Sequence, residues 1–196
     1  MIVLNDLTQF KALTVGLPPR CFIKNSKALQ ILQKVSSEFV VSEDLPTKEH
    51  PGIYTFVNAV DKTNNILSFR HSDQNIYGLR SIGAGKWCPR VAKGIPIEQS
   101  LERHAMQVFF EIFSAKSGIE LALAGMYINK LTPEDATKIG VIYECTIENL
   151  SEVAFEGNLF FENTIMKKEE AFKQSTKYDH WSSQVIFSMC NPSLLR

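Results

Sequence analysis

The side chains best placed to act together lie in one segment, Glu98-Gln-Ser-Leu-Glu-Arg-His-Ala-Met-Gln-Val-Phe-Phe-Glu-Ile-Phe-Ser114. At about 100° per residue, Leu101, Ala105, Val108 and Ile112 form an apolar stripe, with Met106, Phe109, Phe110 and Phe113 as a second stripe beside it. Ser100, Arg103, His104, Gln107, Glu111 and Ser114 share what remains. A helix apolar over most of its circumference is usually covered on both sides. Its polar strip is therefore expected to border water or a ligand. His104, Gln107 and Glu111 fall at i, i+3 and i+7 and project from one face. A histidine, an amide oxygen and a carboxylate in that array could hold a transition metal, and a solvated polar face explains them as well. Glu98 and Glu102 sit where carboxylates favour the helix dipole. Arg70, Arg80 and Arg90 are planar forks able to meet phosphate or simply water. Gly83 and Gly85 permit close backbone approach, or a strand bend. Lys86 is a phosphate counter-charge or a surface lysine.

The elements that would position these groups can be read from patterning. Gly52–Val60 is rich in β-branched and aromatic residues, Asp61–Asn65 is turn chemistry, and Ile66–Arg70 returns as a second strand, together a hairpin. The Ser81–Trp87 glycine stretch leads to the polar-striped helix, for which Gly118 is a plausible stop. Residues 119–129, 138–147 and 158–162 read as strands, and 167–174 and 181–190 as helices. Residues 1–45 read as an extension, with a strand at Arg20–Lys24 and a helix capped by Asn25 or Ser26 that carries Leu29, Leu32 and Val35. The polar, proline-bearing segment Ser42–Pro51 opens a main domain over residues 46–196. Strands around one central and one C-terminal helix predict an α+β sandwich.

Twenty-one basic and twenty-one acidic residues balance to zero net charge, so nothing in the total indicates a nucleic-acid binder. No apolar run approaches the ~20 residues of a membrane-spanning helix, and the N-terminus does not read as a secretory signal. Cys21, Cys88, Cys145 and Cys190 are scattered without a C-x-x-C pair, which fits reduced thiols in a cytoplasmic protein used as small buried hydrophobes. Ser182 and Ser183 have no partner pattern for nucleophilic catalysis. Tyr54, Trp87 and Phe161 could stack on a base, although strand aromatics are mostly core, and Trp181 is expected to anchor the last helix.

The order of these pieces resembles the Nudix hydrolases, in particular their bacterial branch of predicted phosphoesterases. The likeness is carried by Ile66–Arg70, Gly78-Leu-Arg80, Ser81–Trp87, Gly125–Asn129, Ile139–Tyr143 and Asp179–Ser183, across about residues 52–190. Against the family's signature, Glu98, Val108 and Glu111 fit. Met106 stands at the arginine, Gln107 and Phe110 at glutamates, Phe113 at the late glycine and Ala92 at the first glycine, with Gly94 nearby. The resemblance implies a Nudix-like α/β/α sandwich with a mixed sheet. It implies catalytic roles for Glu98 and Glu111, substrate contacts from Arg70, Arg80, Gly83, Gly85 and Lys86, and metal ligation by Glu111, Gln107 and His104.

In such proteins Mg2+ or Mn2+ offsets phosphate charge and activates water. Hard cations need several anionic oxygens. Gln107 offers one neutral oxygen and Phe110 none, so a weak metal site is expected here, and Met106 removes the arginine that would orient the carboxylates. Two functions follow as expectations. One is a pyrophosphohydrolase of nucleoside diphosphate-linked compounds with weakened or absent activity. The other is a silent nucleotide-sensing or protein-interaction module. The partner expected is a nucleotide-like small molecule, with no nucleic acid and no membrane, and a homodimer is an admissible assembly.

Overall fold

The computed structural model describes residues 1–71, 78–91, 94–115, 118–155 and 160–190. Strand β4 (Gly52–Val60) is its axis. Strict alternation sends Ile53, Val57 and Ala59 to one face and Phe56 and Val60 to the other, and the two sets enter separate apolar clusters. A strand buried on both faces must be covered by two layers. One layer holds helices α2 (Asn25–Lys34) and α3 (Ile97–Phe110), and the other holds α4 (Lys168–Lys173) and α5 (His180–Cys190). The molecule is therefore an α+β, α/β/α sandwich, as the sequence pattern predicts.

On one side β4 pairs in parallel along its whole length with β9 (Lys138–Ile147). β9 pairs antiparallel with β8 (Ile119–Asn129), which pairs antiparallel with β2 (Arg20–Lys24). On its other side β4 meets β6 (Gly83–Trp87) through Tyr54–Asn58. It touches β5 (Asn65–His71) at one pair, Val60 opposite Ile66, and β1 (Ile2–Leu4) at Gly52. The predicted hairpin is thus real but splayed. Asp61 closes its turn, accepting from the amides of Thr63 and Asn65 at 2.8 and 2.9 Å. Beyond it β6 takes the place beside β4, and β5 turns to β11 (Phe160–Lys167).

The first 45 residues are built into this sheet. β2 adds a strand outside β8, and β1 links β3 (Phe39–Val41) to the start of β4. The helix expected after β2 begins at Asn25 itself, whose side chain accepts from the Ser26 amide at 2.6 Å. Its buried face is Ala28, Ile31 and Leu32, continued by Val35, with Leu29 rotated to a half-buried position. A short helix, α1 (Thr8–Leu13), adds buried Phe10.

Helix α3 is shorter than the expected 98–114. It stops at Phe110, well before Gly118, because Phe113 is drawn out of helical phase into a ring cluster. Phe113 lies 5.1 Å from Phe109, 5.7 Å from Phe69 and 5.5 Å from Phe155, centroid to centroid. The backbone at β7 (Phe113–Ser114) accordingly pairs with β10 (Ala154–Phe155). The second apolar stripe is also only half covered: Phe109 and Phe113 are buried, while Phe110 is 50% exposed.

The opposite layer is held by Trp181, packed 5.0 Å from Tyr54 and 5.4 Å from Tyr127. Gly140 makes room for that indole, since a Cβ there would sit 2.6 Å from its ring. Asp179 starts α5, accepting from the Ser182 amide at 2.9 Å and from its hydroxyl at 2.7 Å. Ser182 is fully buried, which gives it a structural use. Cys21, Cys88 and Cys145 are buried free thiols, as the sequence suggests, and Cys190 is half-buried. Burial pushes the Cys88 thiol up to about 11 and the Cys145 thiol to about 12.

Candidate functional site

The residues of the polar strip of α3 divide by depth. Ser100 and His104 are buried, whereas Arg103, Gln107 and Glu111 are exposed. His104 faces β4, with its Nδ1 3.0 Å from the Thr55 hydroxyl. Burial holds its pKa below the ordinary value; Glu111 partly opposes that and Lys86 adds to it. The ring is therefore neutral at pH 7. Lys86 enters from β6. It lies opposite Thr55 in the antiparallel register, so both side chains leave the same face of the sheet. Its ammonium is ion-paired with Glu111.

Beside His104 opens a cleft of about 610 Å3 lined by Pro89, Arg90, Ser100, Arg103, His104 and Gln107, with Lys86 and Glu111 next to that lining rather than in it. His104, Gln107 and Glu111 thus do share one helical face, with Lys86 brought to them by the strand. Glu98 is not among them. It stands at the start of the helix and accepts from the Gln33 side chain at 3.2 Å, toward α2.

Arg70 and Arg80 are placed elsewhere. Ser68 and Arg70 alternate with Leu67 and Phe69 along β5, and Leu67 and Phe69 belong to the α3-side cluster. The two arginines therefore serve the α5 face. Arg80 Nε donates to the Ser68 hydroxyl at 2.8 Å, and Nη2 donates to the carbonyls of Ser68 and Glu162 at 3.0 and 2.5 Å. Arg70 pairs with the Glu162 carboxylate at 3.1 Å. Glu162 has φ +50° at the register shift between β11 and β5, so the arginines clamp a bulge.

Gly83 and Gly85 have a packing reason too. A Cβ on Gly83 would meet the Val57 carbonyl at 2.2 Å, and one on Gly85 the Tyr54 ring at 2.2 Å. Tyr54 and Trp87 form an edge-on pair, 5.4 Å between centroids, on the α5 side and away from the cleft. The Phe161 side chain and Ala92 lie outside the described residues. The sequence does not single out Thr55, and it sets Arg103 on the polar strip without giving it a role in the site. A lone threonine in a strand otherwise buried on both faces was the available signal for Thr55.

The donors in the cleft do not make a magnesium site. Glu111 is the one anionic oxygen donor on the strip, and Lys86 already neutralises it. Gln107 adds a neutral amide, and His104 has one ring nitrogen committed to Thr55. Among the described residues no three His, Cys, Asp or Glu side chains converge on a point that could hold a metal. A hard cation wants an oxygen-rich, anionic shell, and this wall offers cations.

No family model matches the sequence, and no curated protein sequence matches it. The fold does have relatives among solved structures. Tm1382, provisionally named a Nudix hydrolase, superposes with a TM-score of 0.72 over 96% of this chain and 97% of its own, at 18% identity. DR0079 from Deinococcus radiodurans superposes with a TM-score of 0.55 over 88% of this chain and 99% of its own, at 10% identity. The chain therefore has a Nudix-like fold. The match with Tm1382 runs through nearly the whole of both chains, so that fold includes most of the N-terminal 45 residues.

Proposed function

We propose that the cleft binds a nucleoside diphosphate-linked small molecule, with metal-dependent hydrolysis of its phosphoanhydride weak or absent. The Nudix-like fold supports the ligand class. The observation that carries the rest is the pairing of Lys86 with Glu111, which occupies the one carboxylate left at this part of the helix. On this reading Arg90, Arg103 and Lys86 meet the phosphates, and neutral His104, oriented by Thr55, offers its remaining ring nitrogen to the cleft. Gly83 and Gly85 act indirectly, by seating β6, which carries Lys86, on β4, while Arg70 and Arg80 brace β5 against β11. A cytoplasmic location belongs to the same reading and suits the free thiols.

The test is a panel of nucleoside diphosphate derivatives, each incubated with Mg2+ or Mn2+ and followed for product and for thermal stabilisation. Saturable stabilisation without turnover is expected, growing as RT ln(1 + [L]/Kd). Turnover abolished by Glu111→Gln would establish a working hydrolase instead, and no stabilisation by any member would leave a protein-interaction role.

A further inference from the structure

The cleft carries an excess of fixed positive charge. Arg90 and Arg103 line it, both are exposed, and neither has a carboxylate within salt-bridge distance among the described residues. Lys86, beside the lining and near enough to act on His104, adds a third cation, and Glu111 is the anion paired with it. With His104 neutral, three cations stand against one carboxylate among the described residues, leaving about two positive charges on a wall shaped by β6 and α3. The Lys86–Thr55 register makes this arrangement rigid at its base, because the lysine springs from a strand paired with β4 over five residues.

Resting on the cleft reading above, we propose that these side chains replace a divalent metal: Lys86 sits beside Glu111 where such an ion would have to bind, and the diphosphate is held directly by Lys86, Arg90 and Arg103. The ammonium acts twice. It uses the one carboxylate that the described residues offer a metal there, and it repels an incoming dication at close range. The guanidinium forks suit phosphate oxygens, which they grip with two parallel hydrogen bonds. Two surplus charges match the charge of a diphosphate bridging two other groups. Binding then requires no metal and falls steeply with salt.

Two measurements test this. In the first, calorimetry follows ADP and inorganic pyrophosphate binding with EDTA and with excess Mg2+. Binding is expected with EDTA, no tighter with Mg2+, and at least tenfold weaker in Arg103→Gln. Binding seen only with Mg2+ overturns the inference while leaving the cleft reading intact. Failure of both probes under both conditions overturns the two together.

The second measurement uses no nucleotide. Mn2+ is titrated and followed by its electron paramagnetic resonance signal. The native protein is expected to leave the ion free, because Glu111 is paired with Lys86 and the strip adds only a neutral amide and a committed histidine. A native protein that binds Mn2+ at a site lost in Glu111→Gln overturns the inference.

Discussion

His104 shows how one residue can be legible by type and misread by setting. Its spacing with Gln107 and Glu111 placed it on the right strip, but only the structure shows that it is buried against Thr55. That setting fixes a pH effect. The folded-state pKa is lowered, chiefly by burial, so as pH falls through about 6.5 the unfolded chain takes up a proton that the folded ring refuses. The stability His104 contributes is complete above that range and is lost below it. Melting curves between pH 7.5 and 5 should show native protein losing more stability than His104→Gln.

Glu111→Gln should behave differently. Its partner Lys86 is half exposed, as it is itself, and such pairs are worth about 0–1 kcal/mol. Tm should therefore shift by no more than about 3 °C, a change readily separated from any effect on binding. Arg80 carries the opposite expectation. Arg80→Lys cannot reproduce a fork spanning Ser68 and Glu162, and a loss of about 1–3 kcal/mol is expected by urea unfolding.

At the scale of elements, the two glycines of β6 decide how closely that strand can lie on β4. The sequence admitted two explanations, a phosphate loop or a bent strand, and nothing local separates them. The close approach turns out to come from the protein's own Val57 carbonyl and Tyr54 ring. Gly83→Ala must move backbone and should cost about 1–3 kcal/mol, read as a drop in Tm. Because β6 sets the position of Lys86, the same variant should also weaken ligand binding. On the other face Trp181 fills the space between Tyr54, Phe56 and Tyr127. Trp181→Ala should cost about 3–5 kcal/mol, or on the order of 10 °C in a chain this long.

Helix α3 marks the limit of periodicity. Its 3.6-residue pattern continues formally to Ser114, yet the chain leaves the helix at Phe110, because Phe113 gains more from Phe69, Phe109 and Phe155 than from another helical turn. Those partners are distant in sequence, so no local window could have revealed the stop.

At the scale of the whole molecule, the first 45 residues complete the sandwich. β2 satisfies the outer edge of β8, and α2 brings Ala28, Ile31, Leu32 and Val35 into the same apolar cluster as α3. A chain restricted to residues 46–196 would present an unpaired strand edge and a bare apolar face. It is expected to aggregate or to unfold without cooperativity, which size-exclusion chromatography and calorimetry would show. No helix among the described residues is long and apolar enough to cross a membrane.

The sequence by itself determined what depends on near neighbours: the strands, most helix positions, the sandwich class, the buried thiols and the polar strip of α3. It also determined the thinning of acidic groups at the signature positions, a matter of residue identity alone. Tertiary structure decided which of the candidate side chains meet. It brought Lys86 and Thr55 to His104 and Glu111 through the pairing of β6 with β4, sent Arg70 and Arg80 to the other face, and turned Glu98 toward α2. Strand order and pairing register set those distances, and both are fixed by contacts between segments far apart in the chain.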